Sequence, residues 1–297
     1  ALRDVYKRQG SAFDPVRLEV SAPDLGMQDL CAAFPKHLLN DAQPVLKTGH
    51  GVLESRVPPQ LQSSLSCLDN LLIFSDVSES FDGRELIDVI ADTPEDLLDS
   101  TDQLEPYRRL RDCVNDKEDE SCDDVITPKE GWKIDKFKFL PAVIRAWQMR
   151  RERKWYVFFE ADTYVEWDTV FRLLDHFDAD EVYYFGSPSP GKNDTWFGYG
   201  GAGFILSRRA MRRLVEDDGE HLIKAEWEEL LNDCCGDSIL GWALYKRGVE
   251  ISGLWPMFNP HSPVSIPFSE RYWCQPVLSM HKPAVEELEK LWSWEWR

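Results

Sequence analysis

The chain has 297 residues, 43% of them hydrophobic, with 12 Trp and 15 Phe, enough apolar mass for the core of one large α/β domain or two small ones. Its formal net charge of -19 repels nucleic acid and anionic membrane surfaces, so any phosphate-bearing ligand must be received through a cation. No stretch approaches the roughly 18–20 apolar residues that span a bilayer and no signal-peptide core is visible, so membrane attachment is expected only through an anchor outside this chain.

Residues 1–25, opening ALRDVYKRQGSA, are expected to be a tail or an artificial extension, and 26–297 a single domain. PVLKTG (44–49) reads as a short strand entering a glycine turn, and NLLIFSD (70–76) as a buried strand with a polar end. From Glu79 to Asp124 acids outnumber bases and leucines are scattered, which predicts a solvated, partly helical excursion. Phe137, Leu140, Ile144 and Trp147 recur at helical spacing ahead of a basic end that suits a helix C-terminus. The strand WYVFF (155–159) follows, ending on Glu160 and Asp162, and then Val170, Phe171, Leu174 and Phe177 mark an amphipathic helix.

Val182 to Gly186 reads as another strand. GYGGAGF packs Gly200, Gly201 and Gly203 into a turn before a strand at Phe204–Leu206, and Ser207 can cap a helix carrying Met211, Leu214 and Val215. A helix is expected around 225–232. Asp237 is placed to cap a further apolar helix ending at Gly248, and 249–251 and 276–281 read as strands. Strands alternating with helices predict a mostly parallel α/β sheet flanked by helices.

Seven cysteines occur with no C-x-x-C pair, which argues against a zinc ribbon or a thioredoxin-like motif. Cys113 and Cys122 bracket the polar loop VNDKEDES and can close it, and the odd count leaves one thiol over. Disulfides in an oxidising compartment are expected, with buried free thiols as the alternative. Asn193-Asp194-Thr195 is a glycosylation acceptor triplet.

The acids closing the 155–159 strand raise a chemical question. Side chains two apart in an extended segment point the same way, and open α/β sheets bind ligands beyond the carboxyl ends of their strands. Glu160 and Asp162 therefore suit a hard divalent cation bridging a diphosphate, although, taken alone, a solvated strand end explains them better. The glycines fit a tight turn or a close backbone approach to a ligand. Asp237 fits a helix cap or a base in a cleft, and His281 a surface residue or a nitrogen ligand. Trp196, Phe197 and Tyr199 suit packing beside the turn or stacking on sugar faces.

Taken in order, EADTYV, GGAGFILS, GDSILG and a late strand ending in His resemble glycosyltransferase family 31, the inverting β1,3-glycosyltransferases, above all its Fringe and core 1 β1,3-galactosyltransferase branch and a fungal group with the same EAD variant. LKTG, LLIFSD and GWKIDKFKFLP extend the resemblance over about residues 40–283. It implies a GT-A-type, Rossmann-like fold, a UDP-sugar donor carrying galactose or glucose, Mn²⁺ or Mg²⁺, a glycan or glycoconjugate acceptor, and residence in the Golgi lumen or secretion. By the same resemblance Asp162, Glu160 and His281 would hold the metal, Asp237 would be the catalytic base, and Gly201, Ala202 and Gly203 would form the turn beside donor sugar and acceptor. Thr48, Gly49, Ser75 and Asp76 would face the nucleotide, and Lys136 its phosphates. Two positions depart from the pattern: Ala161 replaces the middle acid of the triplet, and Gly236 the acid before the base. A phosphohydrolase of the haloacid-dehalogenase kind is the rival enzyme, but it needs an aspartate nucleophile where Glu160 stands. A non-catalytic sugar-binding protein with a degraded site is the rival outside catalysis.

Overall fold

The computed structural model describes residues 31, 34, 36–116, 122, 124–215, 219–266, 269, 270, 272 and 274–295. The tail expected at 1–25 lies outside them.

In chain order the strands are β1 (Ala42–Lys47), β2 (Leu72–Ser75), β3 (Glu79–Phe81), β4 (Arg84–Asp88), β5 (Trp155–Glu160), β6 (Thr163–Val165), β7 (Tyr184–Gly186), β8 (Pro188–Pro190), β9 (Trp196–Gly198), β10 (Phe204–Ser207), β11 (Phe258–Asn259) and β12 (Ser279–His281). The helices are α1 (Leu53–Leu61), α2 (Glu95–Leu98), α3 (Glu105–Asn115), α4 (Pro128–Asp135), α5 (Phe139–Met149), α6 (Trp167–Leu174), α7 (Arg208–Val215), α8 (Gly219–Asn232), α9 (Gly236–Lys246) and α10 (Val285–Glu295).

Seven strands form one sheet in the order β3-β4-β2-β1-β5-β10-β7. The ladders between β4, β2, β1 and β5 are parallel, whereas β3, β10 and β7 join antiparallel. The sheet is thus mixed, parallel only at its centre. Apolar residues alternate along β5: Tyr156 and Phe158 belong to one buried layer, Trp155, Val157 and Phe159 to the other. This alternation is the pleat of a strand buried on both faces. Helices α5, α7, α8 and α9 cover the first face and α1 and α6 the second. Each fully buried large apolar side chain, Trp167 and Phe74 among them, contributes roughly 1.5–3 kcal/mol.

The acidic stretch from Glu79 is more structured than its composition predicts. Asp82 and Gly83, both at positive φ, turn a two-residue hairpin, and β4 extends the central sheet beside β2. Leu86, Val89, Ile90, Leu98, Tyr107 and Leu110 from this region are buried. Acids on the outer faces outweigh these residues in any composition count, which is why the stretch reads as solvated.

Two local expectations change. The segment 249–251 forms no ladder; Ser252 and Leu254 donate backbone N–H to Tyr184 and Gly186 of β7, and Gly253 between them turns at φ 62. The strand expected at 276–281 shortens to β12, and residues 163–165, to which the pattern assigned no element, form β6. β12 pairs antiparallel with β6 in a separate three-stranded sheet, placing His281 opposite Thr163. Ser207 does cap α7, its Oγ accepting from Ala210 N at 3.1 Å.

Disulfides link Cys31–Cys67, Cys113–Cys122 and the adjacent pair Cys234–Cys235, and Cys274 is a free, exposed thiol. No helix among the described residues is long and apolar enough to cross a membrane.

Candidate active site

The carboxyl ends of β1, β2 and β5 open into a cleft of about 600 Å³. Parallel register sets Lys47 at the end of β1 beside Glu160 at the end of β5, and Lys47 Nζ lies 3.3 Å from Glu160 Oε1. Lys47 Nζ also pairs closely with Asp135 at the end of α4. Lys138 donates to Thr48 O at 2.6 Å and pairs with Asp135 at 2.9 Å and Asp76 at 3.3 Å. Burial alone would lower both lysines, but the carboxylates around them outweigh it and hold their pKa above the ordinary range. Asp135 is buried too, yet Lys138 and Lys47 hold its carboxyl well below the usual range. Two buried cations thus form the cleft floor of an acidic protein, and removing either would leave an uncompensated buried carboxylate.

Thr48, Gly49 and Asp76 line the cleft at the ends of β1 and β2. Asp76 Oδ1 accepts from His50 N at 2.8 Å. A Cβ on Gly49 would stand 2.6 Å from Asp76 Oδ2 and 3.1 Å from Lys138 Nζ, so only glycine lets the chain pass there. Thr48 Oγ1 is buried without a hydrogen-bond partner among the described residues. Ser75 lies behind the cleft, fully buried, with its Oγ 3.4 Å from Asp76 Oδ1. Lys136 lines the cleft, but its Nζ donates to Asp233 O at 2.8 Å and Leu231 O at 3.3 Å, fastening the loop ahead of α9. These bonds, one to a carbonyl in the last turn of α8 and one to the residue just after it, engage the ammonium beside the cleft. Burial lowers its pKa.

Glu160, Asp162 and His281 each bring one ligand atom to within 4.8 Å of the others. β12 delivers the histidine, and Lys282 N, donating to Asp162 O at 2.7 Å, locks that strand end to the acid. His281 Nε2 stands 3.5 Å from Asp162 Oδ1, a buried oxygen without a geometric hydrogen bond. Asp162 Oδ2 accepts from Arg56 of α1 at 2.8 Å. Burial would raise the Asp162 carboxyl, but His281, Arg56 and Lys282 bring it below the usual range. Glu160 is pushed up by burial and by Asp135, Asp162 and Asp237, with Lys47 opposing. Two carboxylates, an imidazole and an unpartnered buried oxygen suit a divalent cation such as Mn²⁺ or Mg²⁺. Ala161, between the acids, is 4% exposed and packs in the apolar layer under the sheet. The middle position also contributes to the cleft lining, and Glu160, Asp162 and His281 come together without an acid there.

Asp237 sits in the first turn of α9, after Cys235 as the N-cap, and not at the cap itself. Its Oδ1 accepts from Ser238 N at 2.9 Å and its Oδ2 from Gly200 N at 2.8 Å, so the carboxylate is spent on the glycine turn and its own helix. Burial raises its pKa, opposed by those N–H groups and by Lys47. A Cβ at Gly236 would lie 2.3 Å from Lys136 O and 2.5 Å from the Phe139 ring. An acid cannot fit there, which explains that departure sterically.

The turn at Gly200–Gly203 is held from three sides. Gly200 N reaches Asp237, Gly201 O accepts from Thr163 Oγ1 at 2.8 Å, and Ala202 O accepts from Ser279 Oγ at 2.5 Å. Gly203 has φ 76, and a Cβ there would meet Phe158 O at 2.9 Å. Gly201 faces the cleft, while Ala202 and Gly203 lie behind it. Of the neighbouring aromatics, Phe197 packs on Gly241 and Trp196 is 54% exposed, and only Tyr199 lines the cleft. Burial and the nearby acids push the Tyr199 phenol up to about 12.

The residues that sequence reasoning passed over are the counter-ions Lys47, Lys138, Asp135 and Arg56, the tethers Thr163 and Ser279, and the Cys234–Cys235 pair on the cleft wall. Their signal was faint. A lysine inside each of the apolar runs PVLKTG and KFKFLP is the one hint that a buried cation was needed.

Residues 141–256 match the family model described as Fringe-like, from α5 through the loop after α9. No curated protein matches the chain. The segment that supplies Glu160, Asp162, the glycine turn and Asp237 is therefore a Fringe-like domain, the domain of glycosyltransferase family 31.

Proposed function

We propose that the protein is an inverting, metal-dependent glycosyltransferase of GT-A fold that moves a hexose, galactose or glucose, from a UDP-sugar to a hydroxyl of a glycan or glycoconjugate, forming a β1,3 linkage. The observation that carries this reading is the meeting, in one cleft, of the carboxylate–imidazole set with the separately held carboxylate of Asp237. Asp162, His281 and Glu160 would hold the cation, Mn²⁺ with Mg²⁺ as the alternative, which when bound stabilises the charge of the departing diphosphate. Asp237 takes the proton of the acceptor hydroxyl as that oxygen bonds to the anomeric carbon and the bond to the diphosphate breaks, and attack from the opposite side inverts the centre. Burial makes Asp237 a stronger base than an exposed aspartate, and its two backbone N–H bonds keep it aimed. Thr48, Gly49 and Asp76 face the nucleotide, and the orphaned Thr48 Oγ1 and Asp162 Oδ1 are buried polar atoms that a polar ligand would satisfy. Three disulfides and an exposed Asn193 in its acceptor triplet support a secretory route, to the Golgi lumen or to secretion.

A second reading, a sugar-binding protein without turnover, draws on the pairing of Glu160 with Lys47 and of Asp162 with Arg56, which puts protein cations on both acids. The thermal midpoint separates the two. A ligand at about 100 times its dissociation constant stabilises by ~2.7 kcal/mol, so the enzyme is expected to melt higher with UDP and Mn²⁺ together than with either alone. A panel of UDP-sugars with release of free UDP then ranks donors. No shift under any combination would leave the second reading standing.

A further inference from the structure

Tyr199 lines the cleft, yet the chemistry above gives it no task. The backbone holds it in place, since its N–H donates to Ser187 O at 2.8 Å where β8 begins. The ring meets His281 edge-on, with centroids 5.4 Å apart and planes at 80°. The hydroxyl lies 3.4 Å from His281 Nδ1. The opposite nitrogen, Nε2, is the one that faces Asp162, at 3.5 Å. On its far side the imidazole abuts Gly201, where a Cβ would stand 2.5 Å from Nε2. The imidazole is thus confined by glycine backbone, a tyrosine ring and a tyrosine hydroxyl. A histidine whose Nδ1 is engaged presents Nε2 as its ligand atom, and the group that engages Nδ1 sets ring rotation and tautomer.

We propose that Tyr199 is a positioning residue for His281: its hydroxyl holds Nδ1 so that Nε2 is turned toward Asp162 for a divalent cation. This rests on the reading of Glu160, Asp162 and His281 as the cation-binding set. It assigns the tyrosine to the cation side of the cleft instead of to stacking on an acceptor sugar. The edge-on contact with His281 already engages part of its ring.

Tyr199→Phe keeps the ring contact and removes only the hydroxyl, and Tyr199→Ala removes both. The expected result, by calorimetric titration of Mn²⁺ into the whole protein, is a 10–100-fold weaker dissociation constant for Tyr199→Phe, the range over which partners of metal-bound histidines act. The melting midpoint without Mn²⁺ and the KM for acceptor are expected to stay within error of the unsubstituted protein. Mn²⁺ affinity within twofold of the parent would overturn the proposal, as would a change confined to acceptor KM in Tyr199→Ala, which is the signature of sugar stacking. If the unsubstituted protein itself takes up no Mn²⁺, the cation reading falls and this inference with it. Equal uptake by parent and Tyr199→Phe removes the role of Tyr199 alone. A readout that needs no substitution is the ring ¹⁵N spectrum of His281 with Mg²⁺: a proton fixed on Nδ1 supports the proposal, and one exchanging between the two nitrogens overturns it.

Discussion

Asp237 combines two properties that pull against each other. Burial raises its pKa and so its basicity, while Gly200 N–H and Ser238 N–H stabilise the ionised form and aim it. Asp237→Asn retains an oxygen to accept from Gly200 N but removes the basic site. Transfer is expected to fall by about 10²–10⁴-fold, while the UDP-plus-Mn²⁺ shift in melting midpoint stays unchanged; transfer at the parent rate would dismiss Asp237 as the base. The sign of the pH effect follows from the same burial. A base with a raised pKa loses its working, deprotonated form as pH falls, so the acidic limb of kcat/KM is expected above the range of an ordinary aspartate, and Asp237→Asn should abolish that limb in whatever activity remains.

The elements that carry the site are joined by covalent and ionic ties of unequal reach. Cys31–Cys67 closes 36 residues and pins the entry of β1 to the segment before β2, Cys113–Cys122 closes 9, and Cys234–Cys235 closes 1. On the loop-entropy account the first contributes about 4 kcal/mol, the second about 2.5 kcal/mol and the adjacent pair almost nothing. Cys67→Ala together with Cys31→Ala is thus expected to lower the urea-derived stability most, and Cys234→Ser with Cys235→Ser least. The adjacent pair instead shapes the wall of the cleft just before Asp237, and the same double substitution is expected to show in the KM for donor or acceptor. A stability loss for the adjacent pair matching that of Cys31–Cys67 would contradict this ordering.

At the scale of the molecule, the helix α10 docks onto β6 through half-buried acids. Tyr164 OH bonds closely to Glu295, and Glu166 shares the pocket with Glu295 and has Asp168 nearby. Burial raises both glutamates, Glu166 to about 7. A carboxyl whose folded pKa is raised holds its proton longer in the folded state, so its contribution is present below the unfolded value near 4.5 and is lost as pH rises through about 7. Glu166→Gln, which cannot ionise, is expected to stabilise the protein by about 1–3 kcal/mol at pH 8 and to do little at pH 4.5. Equal effects at both pH values would remove the acid pair as the cause. The direction of the central strands belongs to this scale as well: β3 and β10 run against the parallel centre, β7 runs with it beyond β10, and the cleft opens where the parallel strands end.

The sequence by itself determined what local pattern can carry. β5 alternates between two buried layers, α5 and α7 repeat at helical spacing, and Glu160 and Asp162 share one side because side chains two apart in a strand must. Cys113 and Cys122 were legible as a pair because the loop between them is short. What only the tertiary structure decided depends on register and packing between distant segments. Pairing of β12 with β6 brings His281 to Asp162, and parallel pairing of β1 with β5 brings Lys47 to Glu160. The leucines and valines after Glu79 became core once β4 found β2, although acids dominate their surroundings in the chain. The departures at Ala161 and Gly236 turned on what lies across from them, an apolar layer in one case and Lys136 O with the Phe139 ring in the other. A side chain's type states which contacts it can satisfy, and only the folded chain, by closing long loops against their entropy, states which of them it meets.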